Sequence, residues 1–544
     1  INMKTKQNIL HDNYTPIYRG RQVVISFNYE IMIPEDDPVV LLCEEMERLD
    51  YTQLYHAYSK DGRKPAVSPK VMFMLLVFGY MNNIYSSRAI VKACNYDIRF
   101  MYILNGENVP SHSSICRFRS KRLKGVIDDL FDQFIQRLKR NGEISAKNIF
   151  IDGTKLEACA NRYKFVWKKS IERYQNKLLA KVDNLMDTVK TELNIDIREN
   201  RSKLHMLNML LKELQELQKK HKIEFVNGRG TRKTPIQRFT ETASEYRKKL
   251  VEYHMHLKKM KNRNSYCKTD NDATFMRMKE DHMKNGQLKP AYNVQVGTDA
   301  GYVVGIDISQ ERSDVNTLKP FLSKQERRLQ YRYENVVADA GYDSEENYVY
   351  LYDHKQKAYI KPSTYEKSKT KRYKNDIGLA ENMIYPEFGD LYICHADRVL
   401  YYDHEKTRVS RSGYRRRISV YKCEDCSNCQ YKEKCIKKGN SKTPIEERTK
   451  TLHVSRTHTD MKKKAYELIT SDYGKQLRMN RSIQSEGFFG VLKEDKKFRR
   501  FMLKGMVKVE VEMQLLGISF NLLKYYYKIQ KGKTQQHLYE LKTA

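Results

Sequence analysis

The stretch "NVVADAGYDSEEN" (Asn335–Asn347) decides how the chain is read. Val336 to Ala338 are small or apolar and run straight into Asp339, with Gly341 and a polar loop behind it. Such a run is a short buried strand that delivers a carboxylate at its end. A second stretch has the same form. In "KNIFIDGTKLEACANRYKF" (147–165) the run Asn148 to Ile151 reads as a strand ending at Asp152 and Gly153. In α/β sheets the functional side chains gather in the crevice beyond strand ends. A lone aspartate beside glycine is ordinarily a turn former or a helix cap. Two of them at two strand ends, in a strongly basic chain, point instead to a paired-carboxylate site.

Between and after these strands the pattern alternates. A long polar helical region runs from about Trp167 to Lys261, with Leu and Met at helical spacing in "LHMLNMLLKELQELQKKH", and reads as a helical hairpin packed on itself. "VNGRGTRKTP" (226–235) interrupts it as a loop. "AYNVQVGTDAGYVVGIDIS" (291–309) reads as a β-hairpin turning at Thr298–Gly301. A helix over 314–330 leads to the Val336–Ala338 strand, and "KAYIKP" (357–362) adds another. The order is strand, helical insertion, hairpin, helix, strand, helix, strand, which specifies an α/β core with a mixed sheet.

The flanks are helical. Residues 1 to about 60 are weakly patterned. From Ser68 to about Arg140 a bundle of short helices with basic faces is expected, with Ser86 as an N-cap and Gly142 closing the last helix. Ser86, Ser87, Arg88, His112, Arg117 and Arg119 are its candidate DNA contacts. The C-terminal part, from about 446, is helical again. It holds Glu486 in "RSIQSEGFFGVLKED", with Arg481 and Arg478 upstream and Lys493 seven residues on, two α-helical turns along the same face.

Composition narrows the partner. The 544 residues suggest about three or four domains. They include 101 Lys plus Arg against 67 Asp plus Glu, a net charge of +34. This surplus is spread along the whole chain and suits a polyanion, because cations neutralising phosphates release counterions. The longest apolar run, "VMFMLLVFGYM" from Val71, is too short to span a bilayer, and no apolar signal region opens the chain. A soluble, cytoplasmic protein without a membrane partner is expected, with Met3 as a candidate initiator because the numbered chain begins at Ile1.

Ten cysteines in such a compartment should stay reduced. Four of them, Cys423, Cys426, Cys429 and Cys435, form a C-x2-C-x2-C-x5-C cluster inside a stretch, about Leu391 to Pro444, that reads as loop-rich. Tetrahedral thiolate binding of a structural Zn²⁺ fits that spacing, and the surrounding lysines favour thiolates. Iron–sulfur is the rival, although no proline follows Cys435. Cys394 or His395 is a candidate replacement ligand. Trp167, the only tryptophan, is either a buried aromatic or, beside Lys164, Lys168 and Lys169, a platform for an unpaired base.

Three acids would complete a metal site. Mg²⁺ (or Mn²⁺) prefers carboxylates plus phosphate, and two ions about 4 Å apart stabilise both oxygens of a phosphoryl displacement. Asp343 competes with Asp339 but falls after the turn, where capping of the following helix is expected. Asp307 and Asp314 are weaker competitors.

Taken together, "FIDGTKLEACANRYKFVWKK", "KPAYNVQVGTDAGYVVGIDIS", "VVADAGYDSEEN", "RSIQSEGFFGVLKEDKKFRRFMLKG" and the region from Lys64 to Arg119 resemble the bacterial insertion-sequence transposases of the DDE class. The similarity is greatest to the IS-eleven-eighty-two group, related to the IS-four group, and covers about Arg63 to Gln530. The resemblance implies a ribonuclease-H-like core in which Asp152, Asp339 and Glu486 are the catalytic triad on two Mg²⁺ ions. It also implies double-stranded DNA as the partner, both as inverted-repeat ends and as target, and a homodimer that joins two ends. Water would cleave the transposon end, and the freed 3′-hydroxyl would then attack the target strand. Lys493 fits the IS-four group's Glu-to-Lys spacing. Arg481 sits one residue farther from Glu486 than that signature asks, and no tyrosine stands in its place, so Arg481 or Arg478 would take the phosphate-holding role. The organisation expected is a helical DNA-binding domain over 1–142 and a first core strand in 143–165. A helical insertion follows over 166–265, the core over 266–385, a zinc insertion over 386–445 and a C-terminal helical part over 446–544. The rival readings are a catalytically inactive DNA-binding derivative and another ribonuclease-H-like nuclease.

Overall fold

The computed structural model describes residues 32–58, 65, 67–197, 202–228, 232–278, 286–386, 389–437 and 443–540. The expectations for residues 1–31, Met3 among them, and for Arg63 lie outside the described residues, as do 229–231 of the loop at 226–235. Twelve strands are found among the described residues. They are β1 (Asn148–Glu157), β2 (Phe165–Trp167), β3 (Ser265–Cys267), β4 (Thr274–Arg277), β5 (Leu288–Asp299), β6 (Tyr302–Ser309), β7 (Asn335–Ala338), β8 (Lys357–Ile360), β9 (Leu391–Ile393), β10 (Val399–Val409), β11 (Arg415–Cys423) and β12 (Thr451–Val454).

The central sheet is mixed, as the alternating pattern predicts. Strands β7 and β8 pair in parallel, β7 pairs in parallel with β1, and β1 turns antiparallel against β5. Strand β5 is long enough to take both β4 and β6 on its other edge. The β5–β6 turn needs left-handed backbone at two successive residues, which Ala300 (φ 55°) and Gly301 (φ 83°) provide. One expectation is corrected. Strand β1 does not stop at Asp152 but continues to Glu157 against β5. Only its parallel ladder to β7 ends there, at the pair Ile151–Ala338.

The helical insertion consists of three helices, Lys168–Leu193, Lys203–Lys220 and Pro235–Met260. They bury their own cluster, including Val182, Leu207, Leu210, Leu214 and Ala243. The short β2–β3 pair closes the base of this arm.

The N-terminal helices pack on the core. Helix Pro69–Met81 is buried almost all round and lies against the long C-terminal helix Met506–Gln530, which also covers β6. Its start is specified locally by Pro69 at the first position and by the Ser68 hydroxyl, which accepts from Val71 N at 3.4 Å. Helix Pro38–Glu47, in the region read as weakly patterned, is capped in the same way by Asp37, which accepts from Val39 N at 2.8 Å. Ser86 holds the N-cap position of helix Ser87–Tyr96 without a side-chain bond.

Arg119, a candidate DNA contact, is turned into the fold instead of toward solvent. It is 3% exposed, and Nη1 donates to Tyr80 Oη (3.1 Å) and to Tyr85 O (2.8 Å), close to the buried Glu512. Arg88, His112 and Arg117 are exposed. A buried cation removed from such a network costs about 3 kcal/mol, whereas an exposed one costs about 0.5 kcal/mol or less. Arg119→Met should therefore lower Tm by several degrees in thermal unfolding, and Arg117→Ala should leave it unchanged.

The first half of the region from Leu391 to Pro444 is not loop-rich but holds β9, β10 and β11 of a four-stranded antiparallel sheet, β12-β11-β10-β9, completed by Thr451–Val454. The described residues after Cys423 are turns and one short helix, as expected. Charged side chains fill β10 and the first half of β11, and both faces there meet solvent, so no hydrophobic alternation marks them. Among the described residues no helix is long and apolar enough to cross a membrane.

Candidate active site

The end of the β1–β7 parallel ladder sets the geometry. With Ile151 opposite Ala338, the next residue on each strand is an aspartate, so Asp152 and Asp339 emerge side by side. Each carboxylate accepts from the amide that follows it, Gly153 N at 2.8 Å and Ala340 N at 2.6 Å. Glu486 comes from the helical stretch that starts at Asp472, and all three acids line one cavity of about 420 Å³. Asp314, from the turn after β6, lines it as well.

The cavity floor is a hydrogen-bonded amide network. Asn293 Nδ2 and Gln295 Nε2 donate to Asp314 Oδ1 at 2.7 and 3.0 Å, and the buried Tyr342 hydroxyl donates to Gln295. Gly153 is required by this floor, because a Cβ there would lie 2.4 Å from Gln295 Nε2. The sequence carries the signal in "AYNVQV": two amides two residues apart share one face of an otherwise apolar strand. Thr154 and Arg499 are further lining residues that sequence reasoning passed over.

The stretch from Asp472 to Asp495 explains the displaced arginine. It widens into π-helical turns over Ser482–Glu486 and again over Val491–Asp495. In a π turn the bond runs from i to i+5, so Arg481 and Glu486, five apart, lie on one face. Arg481 Nη2 reaches Glu486 Oε1 at 2.7 Å, and Nη1 lies 3.7 Å from Asp152 Oδ2. Arg481 thus bridges two of the acids. Lys493 also faces the cavity and donates to Thr154 Oγ1 at 2.8 Å.

Other candidates lie elsewhere. Asp343 is almost fully buried. It accepts from Ser363 N (2.7 Å) and pairs with His458 (3.3 Å), bonds that together hold its carboxyl well below the usual range despite its burial. The cap of the following helix is Ser344, not Asp343. Asp307 pairs with Lys324 at 3.0 Å. Arg478 lies over the Tyr365 ring, 5.2 Å from its centroid. Trp167 is half-buried and packs against Phe165 and Phe275, and Lys168 sits 3.8 Å from Glu172.

Cys394, Cys423, Cys426 and Cys435 lie in one small apolar cluster at the end of β11. Burial pushes the Cys423 thiol up to about 12, helped by Cys426 and Cys394. Cys435 is raised by burial and by Cys394, Cys426 and Cys429, with Lys450 opposing. Lys450 favours the Cys435 thiolate, as expected of the surrounding lysines, but burial opposes it more strongly. His395 meets the Tyr431 ring edge to face, with centroids 4.8 Å apart. Among the described residues no three Cys, His, Asp or Glu side chains converge closely enough to hold a metal ion. The donor chemistry nevertheless suits the ions the sequence implies: crowded carboxylates for a hard divalent cation, and buried paired thiols for zinc.

Residues 27–121 match the model of a Transposase domain (DUF772), and residues 393–526 match that of a Transposase DDE domain. These matches support a DDE-type transposase. The second includes Glu486, Lys493 and the cysteine cluster, and neither reaches Asp152 or Asp339. The mixed α/β architecture is compatible with that class. No curated protein and no solved structure matches the chain.

Burial raises the Asp152 carboxyl to about 6. Arg481 and Gly153 N oppose the shift, and Asp339 and Glu486 add to it. The folded state therefore holds a proton that the unfolded chain releases near pH 4, and stability is lost as pH rises between about 4 and 6. The effect is at most about 3 kcal/mol. Asp152→Asn, which mimics the neutral carboxyl, should raise the Tm of the chelator-treated protein at pH 7.5 and give no gain at pH 4. Thermal unfolding at the two pH values checks this.

Proposed function

We propose that the chain is a DNA transposase of an insertion sequence, of the IS-eleven-eighty-two group. Its core would be ribonuclease-H-like, and it would cleave transposon ends and join their 3′ ends to target DNA. The observation that carries the reading is the meeting of Asp152, Asp339 and Glu486 in one cavity, in a chain whose two flanks match transposase families. The β6-β5-β1-β7-β8 sheet, antiparallel on one side of β1 and parallel on the other, supports the assignment of the core.

Asp152, Asp339 and Glu486 would hold the divalent ions. When bound, Mg²⁺ or Mn²⁺ supplies Lewis-acid stabilisation of the attacking and leaving oxygens. Lys493 faces the same cavity and holds a phosphate oxygen of the scissile strand. Arg481, which neutralises Asp152 and Glu486 in the free protein, exchanges one of those carboxylates for phosphate when DNA enters. The amide floor under Asp314 keeps the carboxylates fixed while charge moves across them. Two copies would hold two ends.

On a supercoiled plasmid carrying the element's ends, with Mg²⁺, Asp152→Ala and Asp339→Ala should each lower strand cleavage by about a thousandfold or more at unchanged DNA affinity. Unchanged cleavage in both variants would sink the enzyme reading. Faster cleavage of RNA–DNA hybrid than of end DNA would favour a hydrolase of the ribonuclease H type instead.

Four of Cys394, Cys423, Cys426, Cys429 and Cys435 would hold a structural Zn²⁺. Elemental analysis of protein purified without chelator should find about one zinc per chain. Cys423→Ser should lose it along with several degrees of Tm.

A further inference from the structure

Between Lys406 and Arg417 stand six cations and no acid: Lys406, Arg408, Arg411, Arg415, Arg416 and Arg417. They lie on the hairpin of β10 and β11 beyond the point where the other strands of their sheet stop. Strand β9 pairs with β10 only at Val399–Tyr401, and β12 pairs with β11 only at Ser419–Lys422. From His404 to Ile418 the hairpin is therefore a two-stranded ribbon with both edges open.

Two features of the ribbon are costly in isolation. A lone two-stranded hairpin is marginal in water, and Arg408 sits directly opposite Arg416, a like-charge pair that weakens the ladder. The first cost is offset at the tip. Tyr414 Oη donates to Glu345 Oε1 at 2.8 Å, Arg416 pairs with Glu345 at 2.8 Å, and the Ser412 hydroxyl donates to Glu346. Glu345 and Glu346 open the helix that follows the Asp339 loop. The ribbon is thus held at a set position relative to the acid cavity.

The second cost is met only in part, because Glu345 pairs with Arg416 while Arg408 meets no carboxylate among the described residues. Charges on open edges do discourage edge-to-edge aggregation, but mixed signs would serve that purpose without a repulsive pair. Register places Arg415 and Arg417 on the face opposite to the docked Arg416, together with Thr407 and Val409. All four side chains are exposed, and neither arginine meets a carboxylate among the described residues. A two-stranded ribbon fits the major groove of duplex DNA, about 12 Å wide.

We infer that the outward face of the β10–β11 ribbon, carrying Arg415 and Arg417, is a duplex-DNA contact surface that is positioned against the cavity through Glu345 and Glu346. The inference rests on the transposase reading and deepens it. The ribbon takes the backbone phosphates of the duplex whose strand the acids would cut, and its charge excess, six cations against the single acid Glu405, is what a polyanion stabilises.

The test is fluorescence anisotropy of the full chain with a labelled mixed-sequence duplex of about 30 base pairs, titrated at several salt concentrations. Arg415→Ala with Arg417→Ala should weaken binding and reduce the salt slope by about 2, one for each lost phosphate contact, at unchanged Tm. A charge-preserving pair, Arg415→Lys with Arg417→Lys, should restore most of the slope and so separate charge from folding. An unchanged slope and affinity in the alanine variant would overturn the inference. Binding is read independently of cleavage. Ribbon-dependent affinity in a chain that never cuts DNA would sink the catalytic reading alone, whereas normal cleavage with ribbon-independent affinity would sink this one alone.

Discussion

Crowding of like charge in a partly desolvated cavity is the constraint around which the molecule is arranged. The parallel ladder between β1 and β7 ends one residue before an aspartate on each strand, so the fold cannot form without bringing Asp152 and Asp339 together. Asp314 and Glu486 line the same cavity. Left alone, such carboxylates repel each other and resist ionisation; the Asp152 carboxyl is raised chiefly by burial, with Asp339 and Glu486 adding to it. Arg481 relieves part of the strain by bridging two of the acids. Beneath them, Asn293, Gln295 and Tyr342 fix Asp314 so that it cannot swing away.

The helical stretch carrying Glu486 is held in two places. Ser485 Oγ lies 3.1 Å from both Phe150 O and Thr298 Oγ1, so the residue before Glu486 is tied to β1 and β5. Just beyond the end of the stretch the buried Lys496 donates to Tyr80 O and Met81 O, capping the last carbonyls of helix Pro69–Met81, and Tyr85 Oη donates back to Lys496 O at 2.7 Å. The N-terminal helices are therefore joined to the helix carrying Glu486 by polar contacts as well as through the common core. Displacing one would be felt at Glu486 and Lys493.

Much of this architecture is legible in the chain. Short apolar runs ending in Asp-Gly or Asp-Ala-Gly mark β1 and β7, because a buried parallel strand must be continuously apolar. Leucines at helical spacing mark the insertion, because its helices bury their own core. Legibility fails where burial does not follow periodicity. The ribbon of β10 and β11 is charged on both faces, so its strands look like loop. Arg119 and Asp343 look like surface residues, yet both are buried in local hydrogen-bond networks.

The sequence by itself determined the strands around Asp152 and Asp339, the hairpin over 291–309, the Lys357 strand and most of the long helices. Those are consequences of local pattern and turn chemistry, which act between near neighbours. Tertiary structure alone decided that Asp152 lies within a strand rather than at its end, since that depends on β5 pairing across it. It also decided that the residue separating Arg481 from the spacing expected of it is absorbed by π-helical turns. And it decided that Asp314 shares the cavity while Asp343 does not. Each depends on contacts between residues far apart in the chain, whose energies no local pattern encodes.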